Sequence, residues 1–303
     1  MNLEKTLEEE YTHISPIEIG KVKTEKTVIT HQLLTALSEC LDNFAVSIFE
    51  KKKEYFTKKI RPFQKDITPE EITKVSLHLS NLQSQANFSY AGYFLTTLID
   101  LHRETTNQHV EYKIITAHLE KVLEGIGEEN RSLIVIQGNG GGNLGSNMIC
   151  GKITVSGDCI YDVGSCMKGG TITIKGNVKN SIGHHMTGGE IYVEGNVTEI
   201  VGRWMHQGKI IVKGNVENYV GNGLQNGRIE IYGNAGTKIG LLMQGGEIHL
   251  HGAYENISED FINGKIYHQK KLIQTKWKKT WKDRILRIKE FVKNHQSKTS
   301  GME

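Results

Sequence analysis

The stretch Gly176-Asn177-Val178-Lys179-Asn180-Ser181-Ile182-Gly183-His184-His185-Met186-Thr187-Gly188-Gly189-Glu190-Ile191-Tyr192-Val193 is the clearest copy of a unit that recurs through the chain. Steps of 19 residues from Gly176 land on Gly138, Gly157, Gly195, Gly214, Gly233 and Gly252. Behind these glycines come Asn139, Asp158, Asn177, Asn196, Asn215, Asn234 and Ala253. Each unit continues with an aliphatic residue and a glycine (Leu144-Gly145 through Ile239-Gly240), and then Met148, Met167, Met186, Met205, Leu224 or Met243. A second glycine precedes an alternating apolar pair such as Ile153/Val155 or Ile191/Val193. The last copy is one residue short, with Ile257, Ser258, Phe261, Gly264 and Ile266 in the matching places. A fixed period with no insertions over six copies identifies a solenoid.

Alternating Ile-x-Val segments bounded by glycine fit short strands rather than helices. Nineteen residues suit one coil of a β-solenoid, with equivalent residues of successive coils stacked about 4.8 Å apart. The aliphatic and methionine columns then fill the interior. Each glycine marks a corner, where φ is positive or close stacking excludes a Cβ. The asparagines predict a ladder of side-chain amides along one turn. Hexapeptide-repeat coils need 18 residues and an aliphatic residue at every sixth position, and this chain keeps neither rule.

The pattern of Gly176 to Val193 resembles the GXGXG repeats shared by one of the subunits of formylmethanofuran dehydrogenase and the C-terminal domain of the glutamate synthase large subunit. The resemblance covers residues 138–267. It implies a right-handed parallel β-helix, of which the 19-residue period counts about seven coils. It also implies an architectural role, packed against catalytic subunits and carrying no chemistry of its own, as in a subunit of an oxidoreductase-like complex. Glutamate synthase activity itself is set aside, since no nucleophilic cysteine stands behind Met1.

Outside the repeat, residues 1–27 read as a mixed-charge arm, and Glu8-Glu9-Glu10 as a solvated run. Residues 28–130 read as an α-helical domain. Leu33, Leu34, Leu37, Leu41, Phe44 and Ile48 predict a helix ended by Arg61-Pro62. Thr68-Pro69-Glu70-Glu71 opens a second with an N-cap, a proline at N1 and a capping box. Tyr90, Phe94, Leu98 and Leu101 mark a third; Ile114, Ile115, Leu119, Val122 and Leu123 mark a fourth, with His118 at its core or boundary. Gly140 to Gly142 read as a tight turn into the repeat, since a phosphate loop would end in Gly-Lys-Ser/Thr. Residues 270–296 read as a basic amphipathic helix that caps the solenoid. Trp277, Trp281, Lys278, Lys282 and Arg284 are its candidate docking residues for a partner or a membrane surface.

Composition narrows the function classes. A net charge of +3 gives no global polyelectrolyte character, so nucleic acid is the weakest partner reading. Four cysteines without CxxC spacing point to a reduced, cytoplasmic setting, and no apolar run spans a membrane.

Stacking makes columns, not local motifs, the place to seek chemistry. After the mid-unit glycine come Ser146-Asn147, Ser165-Cys166, His184-His185, Arg203-Trp204, Asn222-Gly223 and Leu241-Leu242. Cys166, His184, His185, Arg203, Trp204 and His206 form the expected binding patch, because Trp and Arg are frequent interface anchors. No catalytic residue, metal ligand or cofactor is assigned. Cys166 with His185 is the candidate nucleophilic pair, and the enzymatic alternative places it with His184 at the junction of helices and solenoid. The leading expectation is a non-catalytic scaffold or adaptor that binds protein partners, with a homo-oligomer left open.

Overall fold

The computed structural model describes residues 25–43, 51–106 and 110–276. Among the described residues four α-helices come first: α1 (Glu25–Asp42), α2 (Lys52–Ile60), α3 (Pro69–Leu77) and α4 (Ala91–Thr106), with a 3-10 turn at Arg61–Asp66. Thr68 caps α3 as its sequence spells out, its Oγ1 accepting the Glu71 N–H at 3.2 Å. The single helix expected from Leu33 to Arg61 is instead α1 and α2, with Phe44 and Ile48 outside the described residues. The 3-10 turn continues α2 through Pro62, whose fixed φ is compatible with a first turn. Helix α4 is enclosed on every side, with Ala91 through His102 all buried. Its Phe94 meets Phe56 of α2 edge-to-face at 5.8 Å.

Strands follow in chain order: β1 (Glu111–Ile115), β2 (Leu133–Gln137), β3 (Lys152–Val155), β4 (Thr171–Ile174), β5 (Ser181–Ile182), β6 (Glu190–Val193) and β7 (Ile200–Val201). The series continues with β8 (Lys209–Val212), β9 (Val216–Asn218), β10 (Arg228–Ile231), β11 (Ala235–Thr237), β12 (Glu247–Leu250), β13 (Asn263–His268) and β14 (Lys271–Lys276). One long sheet runs β1-β2-β3-β4-β6-β8-β10-β12-β13-β14, and β5-β7 and β9-β11 are short second-face pairs. Neighbours from β1 to β13 pair in parallel, so the chain winds as a parallel β-solenoid of about eight turns.

The extra turn corrects the expected fourth helix. Ile114 and Tyr112 point inward from β1, and Leu119 to Leu123 lie in turns; His118 is exposed there rather than at a core boundary. Ile126-Gly127 repeats Leu144-Gly145 one coil earlier, with the Gly145 N–H bonded to Ile126 C=O at 2.9 Å. The spacing between those pairs is 18, not 19, and Asn130 stands near the methionine position, which hides this coil from the period. Gly141 and Gly142 stack on this coil: a Cβ on Gly141 would lie 1.8 Å from Leu123 C=O.

Inside, Ile153, Ile172, Ile191, Ile210, Ile229 and Ile248 form one fully buried column, and the methionines form another. Methionine Cε atoms reach across to the next coil. The Met186 Cε would lie 2.8 Å from a Cβ on Gly208, so glycine keeps the strand entrance open. One continuous core joins the helices to the last coil, from Leu33 to Ile266.

The asparagine column is a ladder of a different kind from the one expected. Each side-chain oxygen accepts the backbone N–H of the equivalent residue one coil on. The chain of bonds runs Asn139–Asp158 (3.0 Å), Asp158–Asn177 (2.7 Å), Asn177–Asn196 (2.9 Å), Asn196–Asn215 (2.7 Å), Asn215–Asn234 (2.8 Å) and Asn234–Ala253 (3.0 Å). These bonds satisfy donors that the corner turns away from the sheets.

The two solenoid ends are finished differently. Against β1, Thr73 Oγ1 donates to Lys113 C=O at 2.9 Å and Ser76 Oγ accepts the Ile115 N–H at 3.0 Å, so α3 satisfies the open edge. Thr96 of α4 donates to Gly125 C=O (3.0 Å) and accepts from the Gly127 N–H (2.9 Å). At the other end β14 pairs antiparallel with β13. The expected helix over 270–296 is therefore a strand over its first residues, where Leu272 to Gln274 continue the sheet. Trp277, Lys278, Trp281, Lys282 and Arg284 lie outside the described residues. No described helix is long and apolar enough to cross a membrane.

Candidate functional site

One corner of the solenoid repeats an unusual backbone. Glu129, Asn147, Cys166, His185, Trp204, Gly223 and Leu242 occupy one column, with φ of 54°, 57°, 54°, 53°, 52°, 66° and 52°. Each therefore sits in the left-handed region, which glycine and asparagine accept readily and which costs other residues roughly 1–2 kcal/mol. The ladder fixes this geometry. The Cys166 N–H donates to His184 C=O at 2.7 Å, the His185 N–H to Arg203 C=O at 2.9 Å, and the Trp204 N–H to Asn222 C=O at 2.8 Å. Cysteine, histidine and tryptophan held against backbone preference on consecutive rungs point to a role for the side chains they project.

The structure brings most of the sequence-predicted patch together. His185, Arg203 and His206 are exposed, and Cys166, His184 and Trp204 half-buried. The His184 and His185 rings lie 4.4 Å apart, and His185 stacks on His206 at 6.1 Å. Burial, His185 and Arg203 together lower the His184 pKa; Asp162 opposes them. The Trp204 indole covers Gly223, where a Cβ would meet ring atom Cε3 at 2.4 Å.

Beside Trp204 a groove of about 590 Å³ opens, lined also by Tyr219, Lys238, Leu241, Leu242 and Asp260. Lys238 donates to the Tyr219 hydroxyl at 2.5 Å, with its ammonium 4.5 Å from that ring's centre. Sequence reasoning misses Tyr219 and Lys238. They are left-handed like Asn143 and Asp162 (φ 51° to 58°), each placed just before its coil's aliphatic residue, whereas Ser181 and Ile200 at the same offset lie in β5 and β7. Reading that offset down the repeat as a column is the signal that finds them.

The nucleophilic pair is not assembled as a pair. The hydrogen-bond contact of Cys166 Sγ is with the Ser165 hydroxyl at 3.9 Å, and no hydrogen bond joins it to His185. Cys166 also stands two rungs from Glu129, the point where Lys53 of α2 reaches the column at 3.1 Å, so it does not lie at the helix–solenoid junction. Among the described residues no group of three or more His, Cys, Asp or Glu side chains is placed to hold a metal. Elsewhere burial pushes the Cys159 thiol up to about 12 and the Cys40 thiol up to about 11, which keeps both protonated and unreactive.

A profile of the GXGXG motif matches residues 95–302, from α4 through the solenoid and beyond. The chain belongs to the GXGXG motif family. No curated protein matches the chain. Within a GXGXG repeat, the glycines and asparagines are accounted for by stacking and by the ladder. Cys166, His185 and Trp204 are not, because glycine or asparagine would serve the same corner with less strain.

Proposed function

We propose that this GXGXG protein is a non-catalytic scaffold or adaptor whose corner column docks a protein partner. The observation that carries the reading is the run Cys166–His185–Trp204, three side chains kept in the left-handed region and directed away from the core. A purely structural corner is served better by the asparagine and glycine found at Asn147 and Gly223 in the same column. Trp204 and Arg203 supply the aromatic and guanidinium groups that dominate interface energetics.

The family resemblance supports a place as a cytoplasmic subunit of an oxidoreductase-like complex, and the same proposal includes the right-handed winding that the resemblance implies. Affinity capture of the tagged full chain from its own cells tests it. Stoichiometric recovery of one partner, lost on Trp204→Ala, is the expected outcome; a chain that comes out alone refutes the reading.

A further inference from the structure

The chemistry of the partner can be read from the groove beside Trp204. Two exposed cations, Arg203 and Lys238, stand at it, and among the described residues neither has a carboxylate within 4 Å. Asp260 is the one acid among the lining residues, so the groove carries an excess of positive charge. Lys238 is not a loose surface lysine. The Tyr219 hydroxyl and ring hold its ammonium in place, which reduces the side-chain entropy lost when an anion binds. The Trp204 indole, Leu241 and Leu242 line the same groove and give it apolar surface suited to an aromatic or aliphatic side chain.

We infer that this groove seats an acidic peptide segment of the partner, one that lays an apolar or aromatic side chain on Trp204 and sets carboxylates against Arg203 and Lys238. The inference rests on the scaffold reading and specifies what the scaffold holds. The lining suits an apolar side chain accompanied by negative charge: apolar contact excludes water, and the cations fix orientation and speed encounter. His185 on the preceding rung and His206 on the same rung as Trp204 bring no negative charge to oppose an acidic ligand.

The test uses the full chain with Trp277→Phe and Trp281→Phe, which leaves Trp204 as its one tryptophan. Its fluorescence is titrated with a pentapeptide of four glutamates around a tyrosine, and with the same peptide carrying four lysines. Saturable binding of the acidic peptide is expected, weakening with added salt and falling at least about tenfold in Arg203→Glu/Lys238→Glu. Both substituted side chains are exposed, and a thermal melt of the double variant verifies its fold. Equal response to both peptides, no saturable response, or unchanged affinity in the double variant would overturn the inference. Partner capture separates the two levels. Capture that persists in the double variant removes the groove and leaves the scaffold; absence of any partner from the wild-type chain removes the scaffold itself.

Discussion

The indole of Trp204 lies over Gly223 one rung further on, at the distance where a Cβ would come within 2.4 Å of ring atom Cε3. Gly223 meets two demands at once, a φ of 66° and a vacant Cβ position. Gly223→Ala is expected to cost about 1–3 kcal/mol from backbone strain and to lift the indole off the corner. Urea unfolding reads the first effect. The Trp204 emission maximum, in a chain lacking Trp277 and Trp281, reads the second as a red shift.

His185 lies in the same column with a φ of 53°, and among the described residues its side chain makes no hydrogen bond to offset that strain. Replacing it by glycine or asparagine is expected to raise stability by about 0.5–1 kcal/mol, because the left-handed strain is relieved. The urea midpoint should move up. A midpoint that falls by a similar amount would show that the ring contacts with His184 and His206 outweigh the strain.

Asn196 accepts the Asn215 N–H at 2.7 Å, and its own N–H is accepted by Asn177. Asn196→Ala removes one acceptor and leaves one corner donor to water. The expected loss is about 1 kcal/mol, the usual net worth of such a bond. Amide hydrogen exchange at Asn215 should quicken while exchange at Asn234 is unchanged, since the ladder is built of separate links.

The His184 pKa is held below its unfolded value by burial, by His185 and by Arg203. A depressed histidine favours the neutral ring in the folded state. Its contribution is present above the unfolded pKa, near 6.5, and is lost as pH falls from there through the folded pKa. Relative to His184→Gln, the wild-type chain should therefore lose stability between about pH 6.5 and the folded pKa. Parallel pH-dependent melts of the two chains measure the difference directly; parallel curves would contradict it.

Glycine made the solenoid legible, because stacking and positive φ exclude other residues at fixed offsets and so preserve the 19-residue spacing. The first coil was hidden for a physical reason. Its strand and turns carry Ile114, Ile115, Leu119, Val122 and Leu123 at three- and four-residue intervals that mimic a helix, and Gly127 sits 18 residues before Gly145. At the other end, Lys271 to Lys276 alternate too briefly to separate a strand from the start of a basic helix, and pairing with β13 decides it. The corner column was legible as a set of neighbours, since period alone places Cys166, His185 and Trp204 on successive rungs. Their backbone strain was not, because φ is imposed by the ladder around them. Tyr219 and Lys238 enter only when the turn before the aliphatic column folds against the turn after it.

The most direct measurement is quantitative capture of a partner by the full-length chain and by Trp204→Ala, run beside unfolding curves of both. Stoichiometric capture by the wild-type chain, reduced at least about tenfold in a variant that still unfolds cooperatively, is the expected result. Equal capture by the two chains would contradict a scaffold that works through this corner.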